Sequence, residues 1–248
     1  IGPLLSWNYT SQNVLLNRFK LPLSISFLSG LGYIIFSSLF QLYVFVAIMG
    51  VSFTLSSILG EFYKSFKKQK NSSNFLHSIV KMFLSNRHKN GGYIVHIGIV
   101  LLFIGFIGRA FEVEKEFSLS PGEQIYFSNY VFKLNSIKSE ARDNHYAFLS
   151  EIDVVDSSTN QLLTNLKPEK RIYFYWNSDP EKRQPHSELD IYSTIQKDIY
   201  SIFSGYDAQK NIGYFKIMIN PLVNWVWIGG VLMVIGSLFA FWPSRRNS

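Results

Sequence analysis

The sequence predicts an α-helical membrane protein with four transmembrane helices and an all-β extracytoplasmic domain inserted between the third and the fourth. Three observations carry that prediction. First, uncharged runs of 40, 19 and 28 residues lie between Lys20 and Glu61, Lys89 and Arg109, and Lys216 and Arg245. A hydrocarbon core about 30 Å thick takes roughly 20 helical residues to cross, so the first run holds two crossings and each of the others one. Second, charge is segregated: from Glu112 to Lys216 there are 12 Lys/Arg against 16 Asp/Glu, and elsewhere 12 Lys/Arg against one acid, Glu61. Third, that acidic segment alternates β-branched and aromatic stretches with turn signals, the pattern of short strands.

Taken in order, residues 1–20 read as a preceding loop, an amphipathic approach to the membrane. The start at Ile1, with no Met and no signal-peptide pattern, reads as a piece of a longer polypeptide. Residues 21–60 form a transmembrane hairpin, with helices over 21–38 and 41–60 and a reversal near Ser37, Ser38 and Gln41. Residues 61–90 are a basic cytoplasmic loop carrying Lys64, Lys67, Lys68, Lys70, Lys81, Arg87 and Lys89. Positive loops stay in the cytoplasm. Arg18 and Lys20 before the first helix and Arg245 and Arg246 after the last agree with that orientation. In the loop, Phe75, Ile79, Met82 and Phe83 recur at helical spacing beside Lys81, which fits a helix on the inner membrane surface or one packed on the protein.

Residues 91–111 are the transmembrane helix bearing His96. Gly91, Gly98 and Gly105 repeat every seven residues on one face, where small side chains let another helix approach closely. His96 points roughly 140° away from that face, at about 100° per residue. Residues 112–216 form the β domain. Its strands are expected over 124–127, 130–137, 146–155, 171–176, 189–195 and 199–203, broken at Ser120-Pro-Gly122, Asp156–Asn160, Lys167-Pro168 and Asn177–Pro180. About 100 residues suffice for a small sandwich or barrel, and a small barrel is the expectation. Residues 217–242 are the last transmembrane helix, opened by Asn220 as N-cap and Pro221 at the first helical position. Trp225 and Trp227 lie at the outer interface and Trp242 at the inner one, with Gly229, Gly230 and Gly236 on a close-packing face. Residues 243–248 are a cytoplasmic tail.

The placement of charge also narrows the function. A net charge of +7 would suit nucleic acid, but its positive excess sits in the loops that face the cytoplasm, so it reports membrane orientation. With no cysteine the chain has neither disulfides nor thiol chemistry of its own. No Ser/His/Asp order, glycine-rich phosphate loop or intramembrane carboxylate pair is present, and without an inverted repeat a transporter is disfavoured.

His96 is the ionisable group expected inside a membrane segment, and such groups are costly and usually functional. It lies seven residues past Lys89, about 10 Å along the helix, in the cytoplasmic third of the bilayer. Three readings stay open on the residues alone: a histidine hydrogen-bonded to a neighbouring helix, a metal or haem-iron ligand, or a proton relay. His145 and His186 read as solvated surface histidines, and His77 and His88 as headgroup or solvent contacts. Arg109 either snorkels as a helix-end anchor or pairs with an acidic group such as a haem propionate.

The segment Gly91-Gly-Tyr-Ile-Val-His-Ile-Gly-Ile-Val-Leu-Leu-Phe-Ile-Gly105 resembles the histidine-bearing helix of the CcmF-type cytochrome c haem lyases. Asn220-Pro-Leu-Val-Asn-Trp-Val-Trp-Ile-Gly-Gly230 is similar to that family's last helix, and Gly2-Pro-Leu-Leu-Ser-Trp7 to the loop before its final helices. Ser120-Pro-Gly-Glu123 and Asp198-Ile-Tyr200 resemble its outer domain. The resemblance covers essentially the whole chain and corresponds to the carboxy-terminal part of the family.

The resemblance implies a component of a bacterial inner (plasma) membrane lyase that attaches haem to Cys-x-x-Cys-His motifs of apocytochrome c. Residues 112–216 would then face the periplasm. It implies a haem b held by two membrane histidines, of which His96 matches one, so that His96 is the expected cofactor-binding residue and ligand to the haem iron. That haem would keep the substrate haem reduced. Implied partners are a haem-carrying chaperone, apocytochrome c and thiol-handling maturation proteins. The family's tryptophan-rich segment, its two outer histidine ligands and its other membrane histidine have no counterpart in these residues. No catalytic residue is assigned, and the chain is not expected to catalyse the reaction unaided. The rival expectation is a non-catalytic membrane scaffold whose outer domain docks haem-chaperone or apocytochrome partners.

Overall fold

The structure, a computed structural model, describes residues 12–37, 40–68, 87–174 and 185–242. Among the described residues four helices are each long and apolar enough to cross a membrane: α1 (Gln12–Phe36), α2 (Leu42–Lys68), α3 (Arg87–Gly108, continued by a 3₁₀ turn Arg109–Phe111) and α4 (Val223–Phe241). Among the described residues ten strands separate α3 from α4. The chain divides into two compact units, a helical one built from residues 1–110 and 222–248 and a β unit of residues 111–221. The expected surface helix over 75–83, the loop Gly2–Trp7, the turn at 177–180 and the tail 243–248 lie outside the described residues.

In the helical unit α1 packs on α2, α2 on α3 and α3 on α4. Ser26, buried in α1, donates its hydroxyl to the Met49 carbonyl of α2 at 2.8 Å. One turn on, a Cβ built on Gly30 would lie 2.8 Å from the Phe45 ring. Large apolar side chains elsewhere on α1 and α4, such as Phe27, Leu28, Val231 and Leu238, face outward, which suits helices whose solvent is lipid.

The helices run further than the uncharged runs suggested. α1 begins well before 21, α2 continues past 60 to Lys68, and α3 begins at Arg87, so Lys20, Glu61 and Lys89 are all helical. A charged side chain interrupts a hydropathy run without interrupting backbone hydrogen bonding, because near a helix end it can snorkel to the interface.

The β unit is all-antiparallel and its described strands form two sheets. One has the order β1 (Val113–Leu119), β10 (Ile212–Pro221), β9 (Lys197–Asp207), β8 (Asp190–Ser193). The other has the order β2 (Gln124–Phe127), β3 (Tyr130–Ala141), β4 (His145–Asp156), β6 (Glu169–Tyr173), β7 (His186–Glu188), with β5 (Leu162–Leu166) also on β4. The expected all-β insertion is therefore present, its described strands forming a two-sheet sandwich. Its core explains why: Phe132, Phe203 and Phe215 fill the layer between the sheets together with Leu134, Ile152 and Ile217, and side chains of that size hold two sheets apart face to face.

Turn chemistry sets the strand boundaries. Ser120-Pro-Gly122 forms a turn closed by the Glu123 N–H donating to the Ser120 carbonyl at 3.0 Å, with Gly122 at φ 92°, a conformation glycine adopts without steric cost. Lys167-Pro168 breaks the partner of the long strand β4 into β5 and β6. The Pro168 carbonyl accepts bonds from the Ser150 N–H and hydroxyl.

At the β4–β5 corner the Asp156 carboxylate accepts bonds from the Ser158 hydroxyl and N–H and the Thr159 N–H. These bonds, the Ser158 hydroxyl first, hold its carboxyl below the ordinary aspartate range. A depressed folded-state value stabilises the fold above the unfolded-state value, and the contribution is lost as pH falls through the folded-state one. Asp156→Ala is therefore expected to lower the stability of the β unit at neutral pH, with the difference from the unaltered protein vanishing in acid. Paired denaturant titrations at neutral and acid pH measure it.

The last helix differs from its expected start. β10 continues through Asn220 and Pro221, which pair with Asp198 and Lys197 of β9, and α4 starts at Val223 after Leu222 in the left-handed region at φ 62°. Asn220 is therefore not an N-cap, nor Pro221 a first helical residue. Ile217 and Ile219 alternate inward along the strand, so the uncharged run after Lys216 joins half a strand to a helix.

Candidate functional site

His96 lies on α3, whose opposite face is fastened to α4. A Cβ built on Gly91 would lie 2.6 Å from Ala240 Cβ, and one on Gly98 2.7 Å from the Gly229 carbonyl oxygen. One on Gly105 would overlap Val226. The contact is reciprocal, because a Cβ on Gly236 would lie 2.8 Å from the Val95 backbone nitrogen. The heptad glycines thus form a seam of backbone against backbone, which fixes the rotation of α3 and so the direction of His96.

The half-buried imidazole has its Nδ1 2.6 Å from the Gly92 carbonyl oxygen, one turn back on the same helix. A carbonyl oxygen only accepts, so Nδ1 carries the proton and donates it. In the neutral ring Nε2 then carries the lone pair. Among the described residues no group bonds Nε2. This is the tautomer, with the other ring nitrogen held by a hydrogen bond, that an imidazole needs to serve as a metal ligand.

The surroundings suit a large apolar ligand. An apolar groove of about 570 Å³ runs between α2 and α3, lined by residues that include Val46, Gly50 and Thr54 on α2 and Ile99, Val100 and Phe103 on α3. Ile99, Val100 and Phe103 follow His96 by three, four and seven residues, so they continue its face of the helix. A lone-pair nitrogen on a helix whose next turns line an apolar groove of ligand size fits a haem by its donor chemistry.

Toward the N-terminal end of α3, on the same face, lies a charged cluster that the sequence reading did not single out. Glu61 accepts from Lys89 of α3 at 3.1 Å and from Lys64, one turn on in α2, at 3.2 Å. Lys89 also stands 5.5 Å from the centre of the Tyr93 ring, which is buried and packs edge-on against Phe62. A signal was available: Glu61 is the only acid outside residues 112–216.

Arg109 is exposed in the turn after α3, thirteen residues and about 20 Å along the helix from His96. It is not brought to His96, so a role beside a group held there is withdrawn. His88 is exposed, edge-on to Phe241, and His77 lies outside the described residues.

His145 was expected in solvent and is instead buried, at 7% exposure. Its Nδ1 lies 2.6 Å from the Asn144 Oδ1 and its ring packs 5.0 Å from that of Tyr173. The cause is the register: His145 pairs with Tyr173 across β4 and β6, and this partner ring covers it. His186 is exposed as expected, on the other side of Tyr173 at 5.7 Å.

Beside them, Arg142 bonds Glu140 and Glu169, and Arg171 bonds Glu169 and Glu188. The Arg171 guanidinium is held above its ordinary value first by the Tyr173 side chain and then by Glu169. In the other sheet, burial and then the charges of Asp198 and Glu112 push the Tyr200 phenol up. Asp198 is itself buried and accepts the Ser193 hydroxyl at 2.6 Å. Among the described residues no three histidines or carboxylates come together as a metal site.

The chain is similar to known cytochrome c-type biogenesis proteins. Residues 110–221 match the family model described as the CcmF C-terminal beta-sandwich. Over 246 residues, 99% of this chain, it is 22% identical to the cytochrome c-type biogenesis protein CcmF of Haemophilus influenzae and spans 36% of that protein. Over 155 residues it is 25% identical to the probable cytochrome c-type biogenesis protein NrfE of Escherichia coli, covering 62% of this chain and 26% of that one. A solved structure of a cytochrome c heme lyase CcmF is similar with a TM-score of 0.70 at 19% identity, over 98% of this chain and 37% of that one. That likeness bears on the fold. The chain thus spans little more than a third of the length of relatives that it matches over nearly its whole extent.

Proposed function

We propose, from the match of residues 110–221 to the CcmF C-terminal beta-sandwich and the likeness of nearly the whole chain to CcmF proteins, that the chain is the carboxy-terminal part of a CcmF-type protein and a component of the membrane haem lyase that attaches haem to apocytochrome c. In this reading His96 would be one protein ligand to the iron of a haem b. The observation that carries it is the Nδ1–H bond to the Gly92 carbonyl, which leaves the Nε2 lone pair for iron. Haem b, when bound, supplies one-electron chemistry at its iron that keeps the substrate haem reduced. The chain's own residues orient the ligand. Gly92 holds the tautomer and the glycine seam holds the helix.

The setting is the bacterial inner membrane, with the β unit on the periplasmic side. The positive charge of the 61–90 segment and of both chain ends supports that orientation. The sandwich would receive the haem-carrying chaperone and apocytochrome c, together with the thiol-handling proteins that deliver the latter reduced. A scaffold reading, with the haem chemistry elsewhere, draws support from the self-contained core of the sandwich. Replacing residues 113–215 with a short linker separates the two: loss of partner co-purification with haem retained points to docking by this domain.

The direct test is His96→Ala in the protein purified from its native membranes. The b-type haem absorption is expected to disappear while the chain still accumulates. Unchanged b-haem content would contradict the assignment.

A further inference from the structure

The groove and the charged cluster lie on opposite sides of His96 along one helix face, and together they define an orientation. α2 and α3 are antiparallel neighbours pinned where Glu61 meets Lys89. Seven residues from that pin in each helix stand Thr54 on α2 and His96 on α3, so the two reach the same depth, about 10 Å from the ion pair. Beyond that depth, away from the ion pair, the space between the helices is the apolar groove ending at Leu42, Tyr43 and Phe103.

On the near side are two ammonium groups sharing a single carboxylate. Lys64 and Lys89 lie 3.2 and 3.1 Å from the two oxygens of Glu61, which leaves one positive charge in excess and fixes both side chains on this face. Lys89 precedes His96 by seven residues, two turns, and so lies within about 20° of it around the helix. Haem b is amphipathic in the same sense, with two propionates on one edge and methyl and vinyl groups on the others.

We propose that the haem held by His96 lies with its apolar edge in the α2–α3 groove and its propionates on Lys64 and Lys89, facing the basic ends of the helices. This rests on the reading of His96 as an iron ligand. Lys64 and Lys89 are then positioning residues: they fix which edge of the macrocycle faces which way, and Glu61 holds them ready for the carboxylates. Arg109, at the far end of α3, takes no part.

The test compares haemin with haemin dimethyl ester, whose propionates are masked, by spectroscopic titration of the haem-stripped protein purified from its native membranes. Charge-assisted hydrogen bonds predict that haemin binds about tenfold or more tightly than the ester. In the Lys64→Gln/Lys89→Gln protein that preference is expected to fall to about equal affinity, and in Lys64→Arg/Lys89→Arg to persist. Equal affinity for both haems in the unaltered protein, or an undiminished preference in the double glutamine variant, would overturn the proposal and leave His96 as ligand intact. Binding of either haem unaffected by His96→Ala would sink the underlying reading. The comparison on the unaltered protein decides even if the double variant fails to accumulate.

Discussion

Gly229→Ala is expected to destabilise the helical unit by about 1–3 kcal/mol, while Gly230→Ala, one residue further on, leaves it unchanged. A Cβ at 229 would lie 2.5 Å from the Gly98 carbonyl oxygen and 2.9 Å from the Leu102 nitrogen, both backbone atoms of α3, whereas one at 230 meets nothing within 4 Å. Backbone cannot swing aside as a side chain can, so one methyl group must push the helices apart. Because packing drives helix association in lipid, where apolar burial does not, no compensating gain follows from the added carbon. The same displacement would move His96, which is oriented from the seam side of α3. Thermal aggregation of the solubilised full chain, measured for both variants, checks the contrast. Equal behaviour of the two would remove the seam from the account.

Phe203→Ala is expected to cost the β unit about 3–5 kcal/mol. The ring is fully buried, stacks on Phe215 at 4.9 Å with 13° between planes, and sits between the two sheets. Removing it empties a cavity that neighbours from both sheets cannot fill without bending strands already held by ladder bonds. Protease sensitivity of residues 111–221 in the full chain, titrated with denaturant, reads out the loss. A Phe203→Leu protein, which keeps most of the apolar volume, should fall between the two.

Much of this architecture is legible in the residues, and the exceptions have identifiable causes. Gly91, Gly98 and Gly105 at heptad spacing announce a packing face, because small residues in a membrane helix have few other uses; α4 supplies the partner backbone. Ser120-Pro-Gly122 and Lys167-Pro168 mark corners that the strands obey. β1 went unanticipated because Glu114, Lys115 and Glu116 interrupt any apolar alternation, as an edge strand with one neighbour tolerates. β10 was hidden for the opposite reason: Ile217, Met218 and Ile219 look like the start of a membrane helix, and only their pairing with β1 and β9 shows them to be sheet.

The site was legible as a residue and not as an environment. An imidazole in an apolar run draws notice by its cost, but sequence spacing cannot say which of its nitrogens is engaged. The Gly92 carbonyl answers that for one nitrogen, and it is a backbone group that any residue there would supply. Glu61 and Lys89 lie 28 residues apart and meet only because α2 and α3 are neighbours. His145 shows the converse failure, since an isolated histidine beside Asp143 and Asn144 reads as surface until Tyr173 of β6 is laid over it.

The most direct measurement of the central claim is chemical rescue at position 96. His96→Gly keeps the helix and opens the space that the ring occupied, so added imidazole can take the place of the missing Nε2. The His96→Gly protein purified from its native membranes is expected to lack the b-type haem spectrum, imidazole to restore it, and dialysis to remove it again. A His96→Gly protein with an undiminished b-type spectrum in the absence of imidazole would contradict the claim.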